Sequence, residues 1–181
     1  MADAVESDGR RRRGQERRRG LVAAALAVIG RDGLAAVTQR SVATEAGVPP
    51  SAVYYYFATL DELVTAALVE VNDRFIGELE AIEDDPVRSL AAVTVGAARR
   101  GRDEVMAELE LWMLAARDER LRGEVDRWDA GVRSAAARLS DDPVVIDALT
   151  TAVSGYYWQA ATGDRFAVEH LEAILRHIVG S

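Results

Sequence analysis

A chain of 181 residues, 49% of them apolar, holds enough hydrophobic material for a sizeable core, which excludes a wholly disordered polypeptide. Cysteine is absent and all 22 basic residues are arginine, so disulfides, thiolate metal sites, cysteine nucleophiles, P-loop lysines and Schiff-base lysines are excluded together. The net charge of −8 conceals an asymmetry, because residues 1–60 carry 9 Arg against 6 acidic residues whereas residues 61–181 carry 13 against 24.

The basic charge concentrates in Arg10 to Arg13 and Arg17 to Arg19, and residues 1–15 read as a flexible basic arm. The apolar run from Leu21 to Ile29 behind it imitates an export signal, but Gly30, Arg31 and Asp32 follow with no small-residue cleavage site. That run is also far shorter than the roughly 20 residues a bilayer demands, so a soluble cytoplasmic chain with no membrane partner is expected. It belongs instead to a first helix near residues 16–31. Short helices follow near 39–46 and 50–56. Thr59-Leu60-Asp61-Glu62 is a capping box opening a fourth, long helix whose apolar positions run from Leu63 through Phe75 to Ile82. Asp84-Asp85-Pro86 and Asp141-Asp142-Pro143 each place Asp at the cap and Pro at the first helical position, where its missing N–H costs nothing. They open helices near 86–99 and 143–162, and further helices are expected near 103–116, 118–139 and 165–179. Nowhere does the pattern alternate as in a strand. The expected fold is all-α with about nine helices. The arm leads into a three-helix domain over 16–58, and a larger antiparallel helical bundle occupies 59–181.

The segment from Thr38 to Phe57 carries the functional signal. Thr38 caps a two-turn helix, Ala43 is small enough for a second helix to cross closely, and Gly47 can take the positive φ of a tight turn. Val48 plugs the angle between the helices, and Pro49 and Pro50 start the second one with Val53 inward. This is a helix-turn-helix pattern, whose second helix enters a major groove; a generic helical hairpin is the competing reading.

The wider register, with Gly33, Thr38, Ala46-Gly47-Val48, Tyr54-Tyr55-Tyr56-Phe57 and Thr59 to Leu63, resembles the TetR family of transcriptional repressors over residues 20–64 without a gap. Glu110-Leu111-Trp112 and Ala115 to Arg122 resemble a stretch of that family's regulatory domains, less specifically. The resemblance implies a dimeric regulator of double-stranded, palindromic operator DNA, a repressor relieved by a small, largely apolar effector, and no enzyme.

Roles follow from the same resemblance. Arg40 matches a place from which a base is reached, and its fork suits guanine O6 and N7; a plain phosphate contact is the alternative. Thr38, Ser51, Tyr54 and Tyr55 match phosphate or base-edge positions, with Pro50 and Thr59 beside them. Ala52 suits a thymine methyl, and Tyr56 packs beneath Phe57. The family's usual lysine at the start of the fourth helix is Leu60 here, so that phosphate contact falls to the helix N-terminus with Thr59. The arginine arm can reach an adjacent minor groove in compensation, a solvated tail with only non-specific attraction being the alternative.

Ala148, Ala152, Gly155 and Gln159 form a mostly small face on the helix from 143 to 162, and Leu171, Ile174, Leu175 and Ile178 stripe the last helix. The family pairs these two helices across its dimer, whereas packing within the protomer is the alternative for the stripe. Met106, Leu109, Trp112, Met113, Trp128 and Tyr156, with Tyr157 and Trp158 nearby, are candidates for the effector pocket, or for ordinary core. Glu108, Asp126 and Asp129 can orient a polar or cationic group. His170 and His177 lie seven apart without a third ligand, so neither a metal nor another cofactor is expected. The rivals are a regulator sensing a protein partner through its acidic bundle and a helical-bundle enzyme, the latter lacking lysine, cysteine and a His–carboxylate pairing.

Overall fold

The structure, a computed structural model, describes residues 2–163 and 167–180, with side chains from residue 11 onward. The side chain of Arg10, and residues 165 and 166 of the helix expected at 165–179, fall outside that description. The described residues form nine α-helices and no strand: α1 (Ala2–Asp32), α2 (Gln39–Glu45), α3 (Pro50–Tyr56), α4 (Leu60–Glu80), α5 (Pro86–Ala98), α6 (Arg102–Ala115), α7 (Arg122–Ala137), α8 (Pro143–Thr162) and α9 (Val168–Val179).

The caps stand where the sequence places them. Thr59 Oγ1 accepts the Glu62 amide at 3.1 Å, while Glu62 takes the Ala58 amide at 2.9 Å rather than the Thr59 amide that a full capping box would engage. Asp142 accepts the Val144 amide at 2.8 Å. Asp85, at φ +36°, accepts the Arg88 amide and is held from the far end of the chain by Arg176 of α9 at 2.9 Å. Two boundaries differ from expectation. The helix foreseen from residue 118 begins instead with a 3₁₀ turn, Glu119–Leu121, because the Asp118 carboxylate takes the Arg120 amide, and α7 proper starts at Arg122. The first helix starts not near residue 16 but at Ala2, since the arm contains no proline and arginine is a good helix former.

Two hydrophobic cores lie along the molecule. Leu21, Ala25 and Ile29 of α1, Val42 of α2, Val53 and Phe57 at α3, and the first half of α4 make one. The second half of α4 with α5, α7, α8 and α9 makes the other, around Phe75, Leu90, Val132, Leu149 and Leu171. α4 therefore threads both, at a length of about 32 Å. α6 also serves both: Ala107, Leu111 and Ala115 pack in the first core, Val105 and Leu109 in the second. Arg138 closes the C-terminal end of α4, donating to the carbonyls of Leu79 at 3.2 Å and of Ile82.

α1 and α6 meet backbone to backbone. A Cβ built at Gly30 would stand 1.9 Å from the Asp103 carbonyl oxygen, so only glycine permits the approach. One turn beyond, Gly33 takes φ +87° and the following Leu34 amide donates to the Glu110 carboxylate of α6.

Candidate nucleic-acid interface and effector pocket

The helix-turn-helix is built by local chemistry. Thr38 Oγ1 accepts the Ser41 amide at 3.0 Å while Ser41 Oγ accepts the Thr38 amide at 2.9 Å, a reciprocal cap that starts α2. Gly47 at φ +65° turns the chain, and the Val48 amide returns to the Ala43 carbonyl at 2.9 Å. Pro49 is the cap and Pro50 the first residue of α3, which Val53 anchors from inside.

Thr38, Arg40, Pro50, Ser51, Tyr54, Tyr55 and Thr59 are all exposed and gather on the α2–α3 module and the start of α4. Tyr54 and Tyr55 are 60% and 81% exposed, unusual for aromatic side chains beside a core and suited to a surface that meets a partner. Ala52 differs from the rest. It is half-buried in a groove that Arg17 and Leu21 of α1 share with Val48 and Tyr56, which turns its methyl partly toward α1. Tyr56 packs into the N-terminal core with Tyr55 edge-on at 4.9 Å, while Phe57 is buried under the Arg18 guanidinium, 4.7 Å from its ring centre. Leu60 leans half-buried against the same core, which gives an apolar residue at that position a packing role.

An aromatic cavity of about 210 Å³ lies in the second half of the chain, between α6, α7 and α8, lined by Leu109, Trp112, Trp128, Ser154, Tyr157 and Trp158. Trp112 stands edge-on to Trp128 at 4.9 Å, and Trp128 stacks on Phe75 at 5.6 Å. Of the six residues expected in a pocket, Leu109, Trp112 and Trp128 line it. Met113 is 47% exposed, and Met106 packs into the second core. Tyr156 sits one position, some 100° of helix, away from the wall, with its hydroxyl donating to the Ala167 carbonyl at 2.9 Å. Tyr157 takes the place expected of it. Asp126 and Asp129 are exposed.

Behind Tyr157 lies an ionic cluster that sequence reasoning found only in part. Glu108 is 4% exposed; it accepts the Tyr157 hydroxyl and pairs with Arg74 at 2.5 Å and Arg100 at 3.4 Å. Arg74 also holds Glu104, and Arg100 holds Glu78 at 2.6 Å. Burial pushes the Glu108 carboxyl up from the usual range against the opposing pull of Tyr157, Arg74 and Arg100, and burial with the adjacent carboxylate pushes the Tyr157 phenol up as well. Three carboxylates thus share two guanidinium groups behind the Tyr157 side of the cavity. A larger cleft of about 830 Å³ along α4 near Asp61, Glu70 and Arg120 is open and mixed in polarity, and lacks the tryptophan cage.

The small face of α8 is accessible along most of its length, with Ala148, Gly155 and Gln159 exposed and Ala152 half-buried. On α9, Ile174 and Ile178 are half-buried, whereas Leu171 is fully buried in the chain's own core and cannot also face a partner. No single helix among the described residues is long and apolar enough to cross a membrane.

Comparison with known proteins adds independent findings. Residues 21–67 match the model of bacterial regulatory proteins of the tetR family, and residues 81–181 match that of the tetracyclin repressor-like C-terminal domain. The transcriptional regulator BetI of Rhizobium meliloti is 33% identical over 112 residues, 59% of this chain and 55% of that protein. The nicotine-responsive repressor HdnoR of Paenarthrobacter nicotinovorans is 31% identical over 109 residues, 57% of this chain and 56% of its own. The chain thus spans about half the length of these curated relatives. Among solved structures, the multidrug binding protein EbrR in complex with malachite green is 33% identical, with TM-score 0.75 over 90% of this chain and 98% of that one. A TetR-family member from Streptomyces coelicolor A3 is 32% identical with TM-score 0.77 and the same coverage.

Proposed function

The chain belongs to the tetR family of bacterial regulatory proteins, and on that footing we propose that it is a cytoplasmic homodimeric repressor, released from a palindromic operator by a small, largely apolar effector. It is a transcriptional regulator with a helix-turn-helix. Thr38, Arg40, Ser51, Tyr54, Tyr55 and Thr59 form the DNA face, with Pro50 setting the start of the recognition helix and Ala52 at its inner edge. Arg40 reads a guanine, and the hydroxyls position the backbone. Two such faces, one helical turn apart, require a second copy, and α8 with Ile174 and Ile178 of α9 supplies the pairing surface.

The observation that carries the effector reading is the tryptophan-lined cavity on α6, the helix that also touches α1 at Gly30 and the turn just after α1 at Leu34. Its volume lies below the roughly 300–1,000 Å³ of most ligand sites, so a ligand must part Trp112 from Trp128 to enter. A ligand that binds the widened form better shifts the population toward it, and movement of α6 is passed to α1 through Asp103 and Glu110. The acidic excess of residues 61–181, 24 carboxylates against 13 arginines, favours uncharged or cationic effectors over anions. EbrR, solved with ethidium, malachite green and proflavin, supports this choice by analogy.

The test is selection of bound fragments from random duplex DNA, followed by a thermal-shift screen of aromatic cations and of matched neutral and anionic compounds. A palindrome, and release of it by a stabilising compound, is the expected result. Trp112→Ala abolishes release while operator binding persists. Loss of operator binding together with folding would place Trp112 in the core and remove the pocket assignment.

A further inference from the structure

The arginine run at the start of the chain is presented on a helix. α1 continues without a break from Ala2 through the run to Asp32, and it first leans on the recognition module at Arg17 and Gly20, which share a groove with Ala52 and Tyr56, and at Arg18, stacked on Phe57. Before that level, Arg11, Arg12 and Arg13 are all exposed. Three consecutive residues point in directions about 100° apart, so exposure of all three means that, among the described residues, nothing covers this stretch over a wide arc. Arg17, Arg18 and Arg19 repeat the three directions about 10 Å further along the axis. Against these six arginines stands Glu16, paired with Arg12 at 3.7 Å.

We propose that this segment, Arg11 to Arg19, is a helical docking surface for the phosphate backbone of duplex DNA flanking each half-site, and that it stays out of the minor groove. The proposal rests on the DNA-binding reading above. The partner must be a polyanion with regularly repeated charge, because arginines facing every direction over two tiers exceed what one carboxylate or phosphate can engage. Duplex DNA is favoured over an acidic protein because the segment is joined directly to the recognition module, through Arg17 beside Ala52 and Arg18 over Phe57, so that DNA held by α3 lies within its reach. A helix is roughly 10–12 Å across with its side chains, whereas the minor groove is about 6 Å wide, so the arm cannot enter that groove as folded. It lies against phosphates instead, as arginine does without reading sequence. The stretch from Ala2 to Arg17 spans about 22 Å as a helix, the length of some six base pairs of duplex.

The experiment compares the full chain with the triple variant Arg11→Ala, Arg12→Ala, Arg13→Ala on two duplexes, the selected operator alone and the same operator with six arbitrary base pairs added at each end. The side chains removed are exposed, and circular dichroism of the variant is the check on its folding. The flanks are expected to tighten binding by the unaltered chain at least tenfold, whatever their sequence, and the variant to lose that gain while binding the short duplex normally. Each phosphate neutralised contributes about 0.9 to the slope of log K against log salt, so six arginines in a dimer steepen it by up to about 5 on the long duplex only. No gain from the flanks, or an equal loss on both duplexes, overturns the proposal. Loss of the gain when a minor-groove ligand such as netropsin saturates AT-rich flanks also overturns it, in favour of an unwound arm. Failure of the unaltered chain to bind either duplex would instead overturn the DNA-binding reading itself, and the docking surface with it.

Discussion

Replacing Gly30 by alanine probes the junction between the recognition module and the effector helix. The added methyl would sit 1.9 Å from the Asp103 carbonyl oxygen and 2.5 Å from its carbon, both backbone atoms that cannot rotate aside. Reaching the ~3.3 Å of an ordinary carbon–oxygen contact requires α1 and α6 to separate locally by about 1.4 Å. Such overpacking costs about 1–3 kcal/mol. The substitution also carries a helix-propensity gain of about 0.8–1 kcal/mol, which must be removed before the clash can be read. Gly77→Ala in α4 supplies the control, because an added methyl there meets nothing within 4 Å. The two variants are therefore expected to differ by about 1–3 kcal/mol, or about 2–12 °C in Tm for a chain of this size, with Gly77→Ala the more stable. Scanning calorimetry of the full chain measures the difference. A Gly30→Ala protein that gains as much as Gly77→Ala would show that the helices are not in backbone contact, and the proposed route from pocket to α1 would fail with it.

Arg40→Ala is expected to weaken operator binding by about 1–3 kcal/mol and relax base preference at one position per half-site; equal losses on operator and random DNA in a binding titration would reduce it to a phosphate contact. Ala148→Glu puts a carboxylate on an exposed position of the protomer, so folding is kept while an unpaired charge buried at the proposed interface costs several kcal/mol. Sedimentation should then show monomers, and a tight dimer would move the interface elsewhere. For Glu108, the raised folded pKa means that the folded chain holds its proton more tightly than the unfolded one. The associated stability is present at low pH and declines as pH rises from the ordinary glutamate range through the raised value. Glu108→Gln removes that decline, so its Tm relative to the unaltered chain should climb with pH, and a flat or falling difference contradicts the assignment.

What the sequence made legible was local. Thr38, Thr59, Asp85 and Asp142 cap helices from the positions their side chains dictate, and Gly47 turns where only a positive φ closes the motif. Burial patterns within one helix were also readable for Val53, Phe57 and the α4 stripe. Less accessible was anything set by two distant helices together. Tyr156 and Tyr157 differ only in phase, and the packing of α8 against α5, α7 and α9 decides which of them faces the cavity. Glu108 could be picked out as an acid in an apolar segment, but its partners Arg74 and Arg100 come from elsewhere in the chain. The extension of α1 was missed because its glycines and charge run resemble a solvated tail, and the Gly30–Asp103 contact has no local signature at all.

The double allegiance of α6 bears on how the chain comes apart. One face of the helix completes the core around the recognition module and another completes the core around the cavity, so neither core can lose its packing without stripping side chains from the other. Denaturation should accordingly be a single cooperative event, despite the two family models that divide the chain. A fragment ending at residue 58 would leave Leu21, Ile29 and Val42 without Leu63, Leu68 and Leu111 to cover them, and would be expected to remain unfolded in isolation.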